Sequence, residues 1–187
     1  MQGLRSDDRS SGVILHPTSL PGPFGIGDLG RAAHDWVDLL ASTGTGLWQT
    51  LPVGPTGYGD SPYQCFSAFA GNPLLLSLES LKDSGLLQDA DLDELRRLPR
   101  GHVDFGALIP VKRRLLAKAH EAFEKGAGAA EREALEGFRA ANESWLPDYA
   151  LFTALKRARE GTPWYEWGSE LAGRDPGALD EAGRELA

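Results

Sequence analysis

Along the first fifty residues, two short apolar runs bracket an amphipathic stretch. Gly12-Val13-Ile14-Leu15 is continuous and apolar, and His16-Pro17 breaks it. Such a run reads as a strand buried on both faces. Asp28 is placed to cap a helix, and Leu29, Ala32, Ala33, Trp36, Val37, Leu39 and Leu40 then recur at helical spacing until Gly44 and Gly46. Leu47 to Leu51 forms a second short run ended by Pro52. The order strand, helix, strand predicts a parallel pair joined by a right-handed crossover. Residues 52–73 then hold Pro52, Gly54, Pro55, Gly57, Gly59, Pro62, Gly71 and Pro73, so they form a long loop. A long loop in a compact domain is functional or disordered. Tyr58, Tyr63, Phe66 and Phe69 argue for order, because aromatic rings need surfaces to pack on. Leu74, Leu75, Leu76 and Leu78 form a third short element.

The pattern changes after residue 80. Leu81 to Leu98 mixes acids with leucines and predicts short helices. Pro110 is positioned to start a helix carrying Val111, Leu115, Leu116, Ala119 and Phe123. A small-residue break over 126–130 precedes a helical stretch from Glu131 to Arg159, interrupted at Pro147. Arg174-Asp175-Pro176-Gly177 predicts a turn before a last helix from Ala178. The pattern reaches Glu185-Leu186-Ala187 in mid-helix, and two parallel strands cannot by themselves make a sheet covered on both faces. Together these features predict the N-terminal piece of a longer protein.

Composition narrows the function classes. With 187 residues, 41% of them hydrophobic and 25% charged, the chain is globular. A net charge of -8 disfavours nucleic acid and anionic membranes as partners, and costs a neutral substrate nothing. Cys65 is the one cysteine, which fits a reducing, cytoplasmic setting. The first eleven residues lack the apolar core of a secretion signal and read as a flexible, solvated tail. No run approaches the ~18 apolar residues of a membrane span.

The candidate chemistry concentrates in Gly57-Tyr58-Gly59-Asp60-Ser61-Pro62-Tyr63-Gln64. A pyranose ring has apolar C–H faces and a hydroxyl rim, so a sugar site needs flat aromatic platforms beside polar groups. This octapeptide supplies both, and its composition by itself rather favours a tyrosine-bearing loop that packs on its own scaffold. Asp60 before Ser61-Pro62 reads as an Asx turn or a substrate contact rather than a catalytic carboxylate. Retaining glycoside chemistry needs two carboxyl groups ~5–5.5 Å apart, and no spacing here singles out such a pair. His16, His34, His102 and His120 lack metal-ligand spacing, so no metal is expected. His16 ends a predicted strand and is either locally bonded or part of a site. Cys65 has no base partner in the sequence and reads as a small packed residue. Gly25-Ile26-Gly27 lacks the remaining residues of a phosphate loop.

Leu15-His16-Pro17-Thr18-Ser19-Leu20-Pro21-Gly22-Pro23, Trp48-Gln49 and the run from Leu51 through Gln64 resemble the N-terminal part of the 4-alpha-glucanotransferases, also called amylomaltases or disproportionating enzymes. The resemblance continues through Ser67-Ala68-Phe69-Ala70-Gly71-Asn72-Pro73, with weaker echoes at Val103-Asp104-Phe105, Trp145, Asp148 to Phe152, and Pro163-Trp164. It implies an α/β fold: the first strands of a (β/α)8 TIM-like barrel with a helical insertion subdomain, the barrel incomplete in this chain. Residues 12–80 would start the barrel, with 52–73 as its substrate loop, and 81–187 would be the mainly helical insertion. The implied reaction is transfer of α-1,4-glucan segments between maltodextrins by a retaining double displacement, with no cofactor. The family's catalytic carboxylates lie in later strands, so the resemblance assigns none here. It assigns glucan contact to Tyr63, which would stack on the donor sugar, and to Asp60, Ser61 and Tyr58. Phe105 stands where the family commonly has tyrosine. The competing readings are a non-catalytic α-glucan-binding module and a related barrel glycoside hydrolase.

Overall fold

The computed structural model describes residues 9–186 and, within them, all side chains but that of Tyr58. Most of the expected N-terminal tail, Ala187 and the Tyr58 ring lie outside the described residues. Contacts divide the chain into two compact units, one ending at Ala127 and one starting at Gly128.

In the first unit, β1 (Gly12–Ile14) pairs in parallel with β2 (Leu47–Gln49), in the register Gly12 to Leu47, Val13 to Trp48 and Ile14 to Gln49. The connection is α1 (Arg31–Ser42), as the alternation of patterns predicts. Both strands are shorter than their apolar runs; side chains alternate across a strand, and within this chain α1 covers one side. Val13 and Trp48 are half-buried there, with the Trp48 ring edge-on to Trp36 of α1 at 6.5 Å. Ile14, on the other side, is 65% exposed. The helix also starts later than expected. Asp28 Oδ1 accepts the N–H of Gly30 at 2.8 Å, making a turn ahead of the helix, and Gly30 takes the cap position.

The main core draws mostly on residues C-terminal to this pair. It gathers Phe24 and Ile26 with Leu74, Leu78, Leu87, Leu92, Leu95, Leu108, Val111, Leu115 and Ala119. These come from the turn after β1, from α2 (Leu78–Asp83), from α3 (Asp93–Arg96) with the 3-10 turn before it, and from α4 (Phe105–Gly126). The core therefore draws on residues from both sides of position 80. Gly27 lets the 17–27 turn fold back on itself, since a Cβ there would lie 2.3 Å from the Pro17 carbonyl oxygen. Ile26 is thereby buried, and Gly25-Ile26-Gly27 serves packing.

Pro110 does not start α4. Asp104 caps it by accepting the Ala107 N–H at 3.0 Å, and Pro110 lies inside the helix. A proline there leaves the Gly106 carbonyl without its helical donor. Gly106 and Pro110 are both exposed, so water can serve that carbonyl while the opposite face of α4 packs.

The second unit contains α5 (Ala129–Ala141), α6 (Leu146–Ala158), α7 (Ser169–Ala172) and α8 (Pro176–Glu185). Pro147 sits in the first turn of α6, where its missing N–H costs nothing, so the break precedes it instead of falling on it. Asn142 makes that break by accepting Trp145 Nε1–H at 3.0 Å and donating to the Phe138 carbonyl at 2.8 Å. Leu155, Trp167 and Ala182 form a small core backed by Leu151, Phe152 and Leu171. Asp175 caps α8 through the Ala178 N–H, so this helix starts at Pro176 within the expected turn.

Candidate functional site

The 52–73 loop folds as an irregular hairpin. Its two ends meet where the Asn72 N–H donates to the Val53 carbonyl at 2.8 Å. Its stem is held by the Gly57 N–H to the Gln64 carbonyl at 2.8 Å and the Phe66 N–H to the Pro55 carbonyl at 3.0 Å, around an antiparallel bridge between Thr56 and Cys65. Gly57 has to be glycine, because a Cβ would stand 2.9 Å from both the Gln64 oxygen and the Phe66 ring. Cys65 lies in this stem with its thiol donating to the Pro62 carbonyl at 2.8 Å, as a small packed residue would.

The tip carries the residues singled out from the sequence, and the hairpin brings Asp60, Ser61 and Tyr63 together. Gly59 has φ +68° and Asp60 has φ +53°, so the chain turns through two successive left-handed residues. Aspartate tolerates this conformation better than most side chains. The turn at Asp60 is a backbone turn rather than an Asx turn: its N–H donates to the Gly57 carbonyl at 3.4 Å, while its carboxylate accepts no hydrogen bond among the described residues. Ser61 instead caps the following segment, its Oγ accepting the Tyr63 N–H at 3.4 Å and its carbonyl the Gln64 N–H at 3.1 Å. Tyr63 is 71% exposed, and Phe69, further along the hairpin, is 73% exposed. Tyr58 lies in the same turn by its backbone. The tip thus presents one flat, accessible phenol beside a half-buried carboxylate and hydroxyl.

Both ends of the hairpin are fastened to the scaffold. At the entry, His16 Nε2 reaches the Pro52 carbonyl at 3.4 Å, while its Nδ1 faces Thr18 Oγ1 at 2.7 Å and the Thr18 N–H at 3.4 Å. One tautomer satisfies all three contacts, with the proton on Nε2 and Nδ1 accepting. His16 is thus bonded locally and ties β1 to the exit of β2. At the far end, buried Asn72 accepts the Leu74 N–H on Oδ1 at 2.9 Å. The Leu75 carbonyl takes the Leu29 N–H at 3.0 Å. Lys112 of α4, 1% exposed, donates from Nζ to the Leu74 carbonyl at 2.6 Å. Burial pushes the Lys112 ammonium down from its ordinary 10.5 to about 8, against the opposing pull of Asp28. Burial likewise raises Asp28, opposed by the Gly30 N–H and Lys112 and aided by Glu79.

The sequence reading missed Asn72 and Lys112 as parts of this assembly. Lys112 had one signal: it falls four residues after Leu108 and three before Leu115, on the buried face of α4. Two open clefts lie elsewhere. One, of about 570 Å³, runs between the 18–27 turn and residues 100–105, and the other, of about 680 Å³, is lined by Asp91, Glu94, Arg114 and Lys118. The second is occupied by its own ion pairs, Lys118 with Asp91 and Arg114 with Glu94. His34, His102 and His120 are exposed and scattered. No group of three or more metal-ligating side chains occurs among the described residues. No helix among them is long and apolar enough to cross a membrane.

Comparison with known proteins sets this hairpin in context. The sequence model of the family described as 4-alpha-glucanotransferase matches residues 15–187. The chain belongs to the 4-alpha-glucanotransferase family. A 4-alpha-glucanotransferase of Thermus thermophilus is 49% identical over 179 residues, covering 96% of this chain and 35% of the relative. That of Synechocystis sp. is 43% identical over 180 residues, covering 96% and 36%. The solved structure of an amylomaltase from Streptococcus agalactiae in complex with acarbose superposes with a TM-score of 0.88 at 36% identity, covering 96% of this chain and 36% of that one. The chain therefore spans about a third of the length of the 4-alpha-glucanotransferases it matches. Its mixed helical architecture with a small parallel sheet is that of the corresponding third of an amylomaltase.

Proposed function

We propose that the complete protein transfers α-1,4-glucan segments between maltodextrins and that this chain supplies part of its glucan groove. The observation that carries this reading is Tyr63, a phenol held 71% exposed at the tip of a hairpin that is bonded at its base, through its stem and at both anchors. An unpacked aromatic on a fixed support loses little conformational entropy when a sugar face covers it. Asp60 and Ser61 stand beside it for the hydroxyl rim, and Tyr58 lies in the same turn. The acarbose bound by the Streptococcus agalactiae relative, the pseudo-oligosaccharide in that complex, supports an oligosaccharide as the ligand class.

The reaction is a retaining double displacement. One carboxylate attacks the anomeric carbon while a carboxylic acid protonates the departing glycosidic oxygen, and the same acid, now a base, deprotonates the incoming sugar hydroxyl. The two groups must lie ~5–5.5 Å apart. Asp60 is read as a substrate contact, and the resemblance to the 4-alpha-glucanotransferases implies that the catalytic pair lies in later strands, outside the third of the enzyme that this chain spans. Strands β1 and β2 with α1 are the first units of a (β/α)8 barrel, and 52–73 is the loop after its second strand, on the face where such barrels bind substrate. The single cysteine of this chain supports a reducing compartment such as the cytoplasm.

The test is incubation with maltotriose of this chain and of the complete enzyme, with analysis of all products. Glucose together with longer maltodextrins from the complete enzyme alone is the expected result. Glucose and maltose without longer products would replace transfer by hydrolysis. Maltodextrin binding without turnover by either protein would leave a glucan-binding module.

A further inference from the structure

Lys112 is the buried cation of the first unit that the glucan-contact reading leaves unused. Its Nζ lies 2.6 Å from the Leu74 carbonyl oxygen, 38 residues away in sequence, and the side chain is 1% exposed. A lysine taken out of water is retained at a cost that an apolar residue would avoid, unless the donor does something an apolar residue cannot. Here it grips a main-chain oxygen at the base of the hairpin. Leu74 follows Asn72 and Pro73, and Asn72 makes the base: its N–H closes onto the Val53 carbonyl, its carbonyl takes the Leu75 N–H, and its side chain holds the Leu74 N–H. The 72–75 turn is thus bonded to Val53 on one side, to the Leu29 N–H on another, and to α4 through Lys112 alone among the hydrogen bonds of the described residues. The stem at 55–57 and 64–66 continues from that base, and Tyr63 is carried by the stem.

We infer that Lys112 is a positioning residue for glucan binding: by holding the Leu74 carbonyl it fixes the base of the 52–73 hairpin, and thereby the place of Tyr63. This rests on the reading of Tyr63 as a sugar platform. The bond is charge-assisted while Lys112 is protonated and weakens when it is neutral. The charged group facing Lys112 is Asp28 in the turn before α1, and Glu79 of α2 acts on Asp28 in turn. Arg113, next to it on α4, is exposed. Loss of the ammonium charge at alkaline pH loosens the hairpin without touching the reacting atoms.

The experiment uses the complete enzyme carrying Lys112→Met together with Asp28→Asn, which removes the grip while keeping the buried charge balanced. The measurements are the KM and kcat for maltotriose from pH 7 to 9.5, and hydrogen exchange across 52–75. In the wild type KM rises as pH passes about 8. In the double variant KM is raised about tenfold and flat with pH, kcat changes less than twofold, and exchange across 52–75 is faster. A double variant with KM within twofold of wild type overturns the inference, because a merely structural lysine would be replaced by the balanced pair. If the double variant does not fold, a wild-type KM that stays flat to pH 9.5 overturns it just as well. Should the wild type not act on maltotriose at all, the glucan reading fails, and exchange across 52–75 then decides the grip by itself: faster exchange upholds it and unchanged exchange ends it.

Discussion

Tyr63 and Phe69 of the 52–73 hairpin stand more than two-thirds exposed, while Leu78, Leu92, Leu95 and Leu108 in the cluster just beyond it are wholly buried. Both regions are rich in large apolar side chains, and they are spent differently. In the cluster, leucines from α2, α3 and α4 fill one another's gaps, and the backbone is satisfied within helices. In the hairpin, order comes from main-chain hydrogen bonds, glycines and two anchors, and the Tyr63 ring stays exposed. The difference teaches that burial alone does not measure how well a segment is fixed. A functional loop can be held by its polar groups while its apolar surface stays open.

The largest expected effect falls on the cluster. Leu92→Ala should destabilise the fold by about 2–5 kcal/mol through lost contacts and a residual cavity, read as a shifted urea midpoint of the complete enzyme. Maltotriose kinetics at temperatures well below the transition should be unchanged. An equal loss from Tyr63→Ala would erase the contrast between the two regions.

Next comes the pH dependence at their junction. The folded Lys112 titrates at about 8, below its ordinary 10.5. Between those values the unfolded chain holds more protons, so stability rises with pH across that window, by roughly 3 kcal/mol at about 1.36 kcal/mol per pH unit, and the burial penalty is fully present below pH 8. The check is the stability difference between wild type and Lys112→Met, which should change in favour of wild type from pH 8 to 10. Asp28, raised by burial, has the opposite sign in acid: its contribution is present below its ordinary 3.8 and is lost as pH rises through its folded value. Protonated Lys112 costs stability and grips the hairpin firmly, so the pH that stabilises the fold is the pH that loosens the loop.

Tyr63→Ala should lower kcat/KM for maltotriose about 10- to 100-fold, roughly 1.4–2.8 kcal/mol, with stability within about 0.5 kcal/mol of wild type. The smallest effect belongs to the cap of α4. Asp104→Ala removes the acceptor of the Ala107 N–H and should cost about 1 kcal/mol without changing KM.

An ordered loop over 52–73 was legible in the sequence because four aromatics in a stretch dense with proline and glycine need surfaces to pack on, whereas its closure as a hairpin was not. Asp60, Ser61 and Tyr63 lie in one tight turn. The crossover from β1 through α1 to β2 was legible from periodicity. What resisted was decided by groups distant in sequence or by competing backbone chemistry. Lysine on a helix normally reads as a solvated residue, and nothing near Lys112 in the chain announces a carbonyl 38 residues upstream. Pro110 looked like a helix start, but the Asp104 cap begins the helix earlier, and the Gly106 carbonyl that Pro110 leaves without a donor lies on the exposed side.

The most direct test of the central claim is a crystal structure of the complete enzyme with a maltodextrin bound. A glucose ring should lie flat against the Tyr63 phenol, with ring carbons about 4 Å from its face and sugar hydroxyls within hydrogen-bond reach of Asp60 or Ser61. A glucan seated in the groove with Tyr63 still open to water would contradict it.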